Sequence, residues 1–157
     1  VDVVEIPGRQ RYHLTSVILD LNGTTSVGGE VVPGVAQRVR ALQAAGLTCY
    51  LLTADTRGRG AATAAALGIV LQLVEQGNEA AQKAAFVADV GAEHVYAVGN
   101  GANDVQMLRA AAIGVVVLQG EGTAVAALQA ADLVVPDINA ALDLLLEPQR
   151  LIATLRT

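Results

Sequence analysis

Apolar positions along this chain follow two rhythms. Short unbroken runs such as Val17-Ile18-Leu19, Tyr50-Leu51-Leu52 and Val95-Tyr96-Ala97-Val98 end in glycine or polar residues. Runs that are apolar throughout, rather than alternating, suit strands buried on both faces, as in a parallel sheet covered by helices. Between them apolar residues recur at helical spacing, as Val35, Val39 and Leu42 do between Pro33 and Gly46. The pattern predicts strands at residues 15–21, 47–52, 69–73, 95–98, 113–118 and 133–135. It predicts helices at residues 33–45, 59–67, 79–90, 104–112, 123–130 and 138–146. Gly68 and Gly91 close the second and third helices, and Asn78 is the expected N-cap of the third. Two hairpins are expected ahead of the first helix: residues 1–14 around Pro7-Gly8-Arg9-Gln10, and a flap at residues 25–32 around the two-residue turn Gly28-Gly29. The expected architecture is one α/β domain spanning residues 1–157, an open sandwich.

Composition narrows the function. A chain of 157 residues accommodates one sizeable core and no second large domain. Its net charge of -5 and pI near 4.8 argue against a nucleic-acid partner, which clustered Lys and Arg would hold. Apolar runs are too short for a membrane span and no signal-peptide pattern opens the chain, so a soluble cytoplasmic protein is expected. Cys49 is the only cysteine, which removes intramolecular disulfides and thiolate metal sites; it reads as a small buried strand residue. His13 and His94 lack the paired spacing of a zinc helix. Nine of the ten basic residues are arginine, and Lys83 is the single lysine. A compact ammonium meeting one phosphate oxygen is a task that a guanidinium does not replace.

Candidate chemistry gathers where the strands end. Asp20-Leu21-Asn22-Gly23-Thr24 follows the first long strand, Thr53 follows Tyr50-Leu51-Leu52, and Gly99-Asn100-Gly101-Ala102-Asn103-Asp104 follows Val95-Tyr96-Ala97-Val98. In open α/β sheets, ligands collect at the carboxyl ends of strands. A carboxylate attacking a phosphate dianion needs its charge neutralised, and a magnesium ion held by one or two carboxylates does this. Asp20 and Asp104 offer carboxylates, and the Asn22 carbonyl a third oxygen. Thr53 and Lys83 suit the non-bridging phosphate oxygens, helped by backbone N–H groups after Asp20. Asp20 would become an aspartyl-phosphate.

These four segments, in this order, resemble the motifs of the haloacid dehalogenase superfamily, and within it small soluble proteins related to the phosphorylation domain of P-type ATPases. The resemblance covers roughly residues 15–146. It implies a Rossmann-like three-layer core with a mostly parallel sheet, and Mg2+ held by Asp20, Asn22, Asn100 and Asp104. It also implies phosphate contacts from Leu21, Thr53, Ala54, Lys83 and Asn103. The segments between Thr24, Thr53 and Lys83 leave no room for a cap domain or for the nucleotide-binding domain of a pump. The implied substrate is a phosphorylated small molecule or a phosphoprotein, with a homo-oligomer as one way to close the cleft.

Two departures set expectations about rate. Asn22 stands where phosphatases of this superfamily carry an acid that protonates the leaving group and activates water; losing such help typically slows a reaction about 10²–10⁴-fold. Asn100 stands where the family commonly places an acidic magnesium ligand. The expected activity is a slow or specialised phosphatase, and the alternative is a phosphate- or magnesium-binding regulatory module without turnover. A receiver-type signalling domain is disfavoured, because Asp20 is not preceded by an acidic pair. A dinucleotide site at Gly99-Asn100-Gly101 is disfavoured because Asp104 takes the place of the third glycine.

Overall fold

The computed structural model describes residues 3–55 and 57–157. The two strands β1 (Val4–Glu5) and β2 (Arg11–Tyr12) pair antiparallel, as the first hairpin predicts; residues 1 and 2 of that expectation lie outside the described residues. Next comes β3 (Ser16–Asp20), then the flap strands β4 (Ser26–Val27) and β5 (Glu30–Val31), also antiparallel. Helix and strand then alternate: α1 (Val35–Ala44), β6 (Thr48–Thr53), α2 (Arg59–Leu67), β7 (Val70–Leu73), α3 (Glu79–Val90), β8 (Val95–Gly99), α4 (Val105–Ala110) and β9 (Ile113–Val117). The chain finishes with α5 (Val125–Ala130), β10 (Leu133–Val135), α6 (Ile138–Leu146) and α7 (Pro148–Leu155).

Six of these strands form one sheet in the order β10-β9-β8-β3-β6-β7, with every neighbouring pair parallel. After β3 the chain moves outward through β6 and β7, then returns to the other side of β3 for β8, β9 and β10. The direction reverses between β3 and β8, and the crevice at such a switch point is where α/β sheets bind ligands.

Strand geometry decides which side chains share a face. In β3, Val17 and Leu19 join a core with Leu42, Leu142 and Leu151 from α1, α6 and α7, while Ile18 joins the opposite core with Val87 and Met107 from α3 and α4. Asp20, two residues after Ile18, therefore points to the α3 side. Lys83 and Val87, one helical turn apart, are the two buried residues of α3, so the stripe that anchors this helix also carries the ammonium.

Three details differ from the sequence expectations. Asn78 does not cap α3 with its side chain; it takes a left-handed backbone conformation (φ 57°), and Gln82 folds back onto the carbonyls of Glu75 and Gly77. The helix expected from residue 104 starts as a 3-10 turn at Ala102–Asp104, because Asp104 turns back to bond the loop amides. Helix α7 was not expected: it is only two turns long, though Pro148 opens it and Leu151 and Leu155 are buried.

Candidate active site

Three side chains from three elements meet at the carboxyl edge of the sheet. The Lys83 ammonium donates to Asp20 Oδ1 at 2.9 Å and to Asp104 Oδ1 at 2.8 Å. All three are nearly sealed from solvent, with Lys83 at 1% and Asp104 at 0% exposure. Burial pushes the Asp20 carboxyl up to about 7, the Asp104 charge adds to this, and the Lys83 charge and the Lys83 and Thr24 hydrogen bonds oppose it. Burial by itself would lower Lys83, but the charges of Asp20 and Asp104 outweigh it and hold the ammonium above its ordinary value. The triad is thus an ion cluster with one negative charge in excess once both carboxyls are ionised.

The loop after β3 is held from several sides. Thr24 Oγ1 lies 3.1 Å from both Asp20 Oδ2 and Asn100 Oδ1, so one hydroxyl joins the first and last motifs. Gln119 donates from Nε2 to the carbonyls of Gly23 and Thr24 and accepts at Oε1 from the Ile138 amide. The amides of Gly23, Thr24, Thr25 and Ser26 all donate within the loop, whereas the Asn22 amide is not drawn into it. Gly23 is required twice over. Its φ is 81°, and a methyl there would come within 2.3 Å of Asn100 Nδ2.

Asp104, expected as a metal ligand, has both carboxylate oxygens engaged within the chain. Oδ1 takes the lysine, while Oδ2 accepts the amides of Asn100 and Gly101 at 3.0 Å each. With no exposed surface and both oxygens engaged, Asp104 orients Lys83 and shapes the loop. Gly99 makes room for it: a methyl there would sit 2.6 Å from Asp104 Cγ. Asn100 is fixed by three bonds, its amide N–H to Asp104, Nδ2 to the Gly122 carbonyl at 3.0 Å, and Oδ1 to Thr24.

A cleft of about 430 Å³ opens over this cluster and is lined by Asp20, Asn22, Thr53, Ala54, Lys83, Asn100 and Asn103, among others. Thr53 accepts the Asp55 amide at Oγ1 (3.1 Å), leaving its own hydroxyl proton free to donate into the cleft. Of the site residues expected from sequence, Leu21 and Asp104 alone do not line the cleft: the Leu21 side chain packs in the core, and Asp104 lies beneath, on Lys83. His13 and His94 lie at the opposite, amino end of the strands, where His94 Nδ1 is 2.7 Å from the His13 carbonyl oxygen. The cleft also brings in Asp55, Arg57, Arg59, Gln76 and Glu79, which sequence reasoning missed. Asp55, Arg57, Arg59 and Gln119 follow strand ends, so the rule that selected Thr53 could have found them.

Comparison with known proteins decides the family. A haloacid dehalogenase-like hydrolase family model matches residues 4–112. The chain belongs to the haloacid dehalogenase-like hydrolases. An uncharacterized protein of Methanocaldococcus jannaschii is 47% identical over 62 residues, 40% of this chain and 67% of that one. The probable copper-transporting ATPase PacS of Synechococcus elongatus is 36% identical over 109 residues, 68% of this chain but 14% of the ATPase, so the likeness is to one part of a much longer protein. Among solved structures, the cobalt-bound deoxy-D-mannose-octulosonate 8-phosphate phosphatase of Haemophilus influenzae superposes with a TM-score of 0.72 at 16% identity, over 92% of this chain and 94% of that one. A zinc-transporting PIB-type ATPase in its E2.Pi state matches with a TM-score of 0.65 at 27% identity, over 79% of this chain and 20% of the ATPase. The two solved structures share the fold of this chain. No helix among the described residues of this family member is long and apolar enough to cross a membrane.

Proposed function

We propose that this hydrolase is a magnesium-dependent phosphatase acting through an aspartyl-phosphate on Asp20, with slow or specialised turnover. The observation that carries the reading is the Asp20 carboxylate at a strand end, facing a polar cleft and hydrogen-bonded to the chain's single lysine at 2.9 Å.

The residues fit a hard cation. Asp20 Oδ2 and Asn100 Oδ1 both lie within 3.1 Å of Thr24 Oγ1, and Asn22 lines the same cleft. One carboxylate, one amide oxygen and one backbone carbonyl form an oxygen-only donor set that suits Mg2+ when phosphate oxygens and water complete the shell. Among the described residues there is no cluster of three or more His, Cys, Asp or Glu side chains, so a cage built wholly from such groups is not the alternative. When bound, the metal supplies the charge neutralisation that lets an anion approach an anion.

The chain's own groups do the rest. Lys83 and the Thr53 hydroxyl hold non-bridging oxygens of the phosphoryl group, and Asn103 reaches the same space. An Asp20 oxygen attacks phosphorus, an oxygen–phosphorus bond forms, and the bond to the leaving oxygen breaks. That oxygen must take its proton from solvent, because the Asn22 amide is not acidic enough to release one. Water then attacks phosphorus, the Asp20–phosphorus bond breaks, and inorganic phosphate leaves. The second step also lacks a base at position 22, so the phosphoenzyme accumulates.

The test is incubation with Mg2+ and an aryl or acyl phosphate. Wild type should release phosphate slowly, Asp20→Asn should release none, and Asn22→Asp should be faster by about 10²-fold or more. Equal inertness of all three, without a beryllofluoride adduct at Asp20, would end the enzyme reading. Phosphate-dependent stabilisation without product release would instead favour a binding module built on the same cleft.

A further inference from the structure

We propose that Arg57 and Arg59 form a second anion subsite at the rim of the cleft, so that the preferred substrate is a phosphomonoester carrying another anionic group, a carboxylate or a second phosphate. The inference rests on the phosphatase reading of Asp20 and names the substrate class for that site.

Four charged side chains line the cleft outside the buried cluster: Asp55, Arg57, Arg59 and Glu79. Neither acid pairs with an arginine side chain among the described residues. Asp55 Oδ1 accepts the Arg57 amide at 2.8 Å, and Glu79 stands in the first turn of α3, where the helix end favours negative charge. The two guanidinium groups are exposed and form no ion pair among the described residues. They are the rim charges left for a ligand.

Placement points them at the substrate's far end. A methyl added at Gly29 would sit 3.2 Å from Arg59 Nη1, so this guanidinium lies against the tip of the flap. The flap is tethered on its other side, where the Gly28 amide donates to Glu121 at 3.1 Å. A substrate with its phosphoryl group on Asp20, Lys83 and Thr53 extends its remaining part into the cleft bordered by the start of α2. A guanidinium fork matches the planar oxygens of a carboxylate or the edge of a phosphate. The buried cluster, carrying excess negative charge, offers a second anion nothing; the rim does.

The experiment compares phenyl phosphate with 4-carboxyphenyl phosphate in the presence of Mg2+, using wild type, the double variant Arg57→Gln/Arg59→Gln, and Arg40→Gln on helix α1, a residue that does not line the cleft. Wild type should prefer the carboxylated substrate by about tenfold in kcat/KM, mostly through KM, and the double variant should lose that preference. Arg40→Gln should keep it. Comparing ratios between proteins removes the difference in leaving group. Calorimetry with phenylphosphonate and 4-carboxyphenylphosphonate supplies a readout without turnover. If no protein hydrolyses either ester but the carboxylated phosphonate binds wild type more tightly and the double variant equally, the subsite stands and the phosphatase reading falls. Absence of any preference in wild type, survival of the preference in the double variant, or failure to bind either phosphonate overturns the proposal.

Discussion

Replacing Lys83 with methionine is the sharpest test of the buried cluster, because the substitution keeps most of the apolar stem and removes the ammonium. The stem packs in α3 beside Val87, and the ammonium is the shared hydrogen-bond donor of Asp20 and Asp104 at 2.9 and 2.8 Å. Without it two carboxylates face each other at 7% and 0% exposure with no cation between them. Removing one partner of a buried ion pair typically destabilises by about 3–5 kcal/mol, a large part of the roughly 5–15 kcal/mol that holds a domain of this kind together. For a chain of this length that corresponds to a fall in Tm of roughly 6–20 °C.

The pH dependence separates this cause from a packing defect. In wild type, burial and the Asp104 charge already raise the Asp20 carboxyl to about 7, against the pull of Lys83. Lys83→Met deletes that pull, so the carboxyl rises further. A group whose folded value is raised contributes stability that is fully present below its unfolded value and lost as pH climbs through the folded one. The deficit of Lys83→Met relative to wild type should therefore be largest at pH 8 to 9 and shrink as the pH falls towards 5, where Asp20 is protonated. Urea unfolding of metal-free protein across that range measures it. The double variant Asp20→Asn/Lys83→Met, with one carboxylate left, should recover most of the loss at pH 8. A pH-independent deficit, or one below about 1 kcal/mol at pH 8, refutes the electrostatic account.

Two further substitutions probe the loop after β8. Asn100→Asp turns a carboxylate oxygen towards the Gly122 carbonyl that Nδ2 now serves and adds a third carboxylate around one lysine; the metal-free variant should lose about 1–3 kcal/mol at pH 8 while its stabilisation by Mg2+ grows, read as Tm with and without MgCl2. Equal metal-free stability would show that the Gly122 bond contributes nothing. Gly99→Ala places a methyl 2.6 Å from Asp104 Cγ, which Lys83 and two loop amides hold in place; a loss of about 1–3 kcal/mol is expected in urea unfolding, with weaker phosphate-dependent stabilisation, and a neutral variant would mean the loop shifts freely.

Much of this arrangement was legible in the sequence for a simple reason: the chemistry sits at strand ends, and unbroken apolar runs mark strands. The reading of residues 15–21 as a central strand put Asp20 at its carboxyl end, and the parallel sheet then put Thr53 and the loop of residues 99–104 on the same edge. The lone lysine was legible as an oddity of composition, and the structure gives it a place that arginine would overfill. What escaped was set by contacts remote in sequence. Gln119 bonding Gly23 and Thr24, and Arg59 lying against Gly29, join segments that no local pattern connects. The side-chain cap expected from Asn78 failed because its backbone takes a left-handed turn (φ 57°), whereas a capping residue is extended.

The asparagine at position 100 gains a different meaning from this geometry than from the motif alone. Read as a substituted acid, it signals a weakened metal site and nothing more. In the folded chain its amide group has a donor task that a carboxylate cannot perform, holding the Gly122 carbonyl, while its oxygen shares the Thr24 hydroxyl with Asp20. One hydroxyl proton cannot serve both oxygens at once. While Asp20 is ionised, the proton goes to the carboxylate, the stronger acceptor. In the proposed aspartyl-phosphate the Asp20 oxygens would be weaker acceptors, and the proton would be free to turn to Asn100. The neutral amide thus keeps the metal-free cluster, with both carboxyls ionised, at one excess negative charge instead of two, and would give the proposed phosphoenzyme a place to put the Thr24 proton.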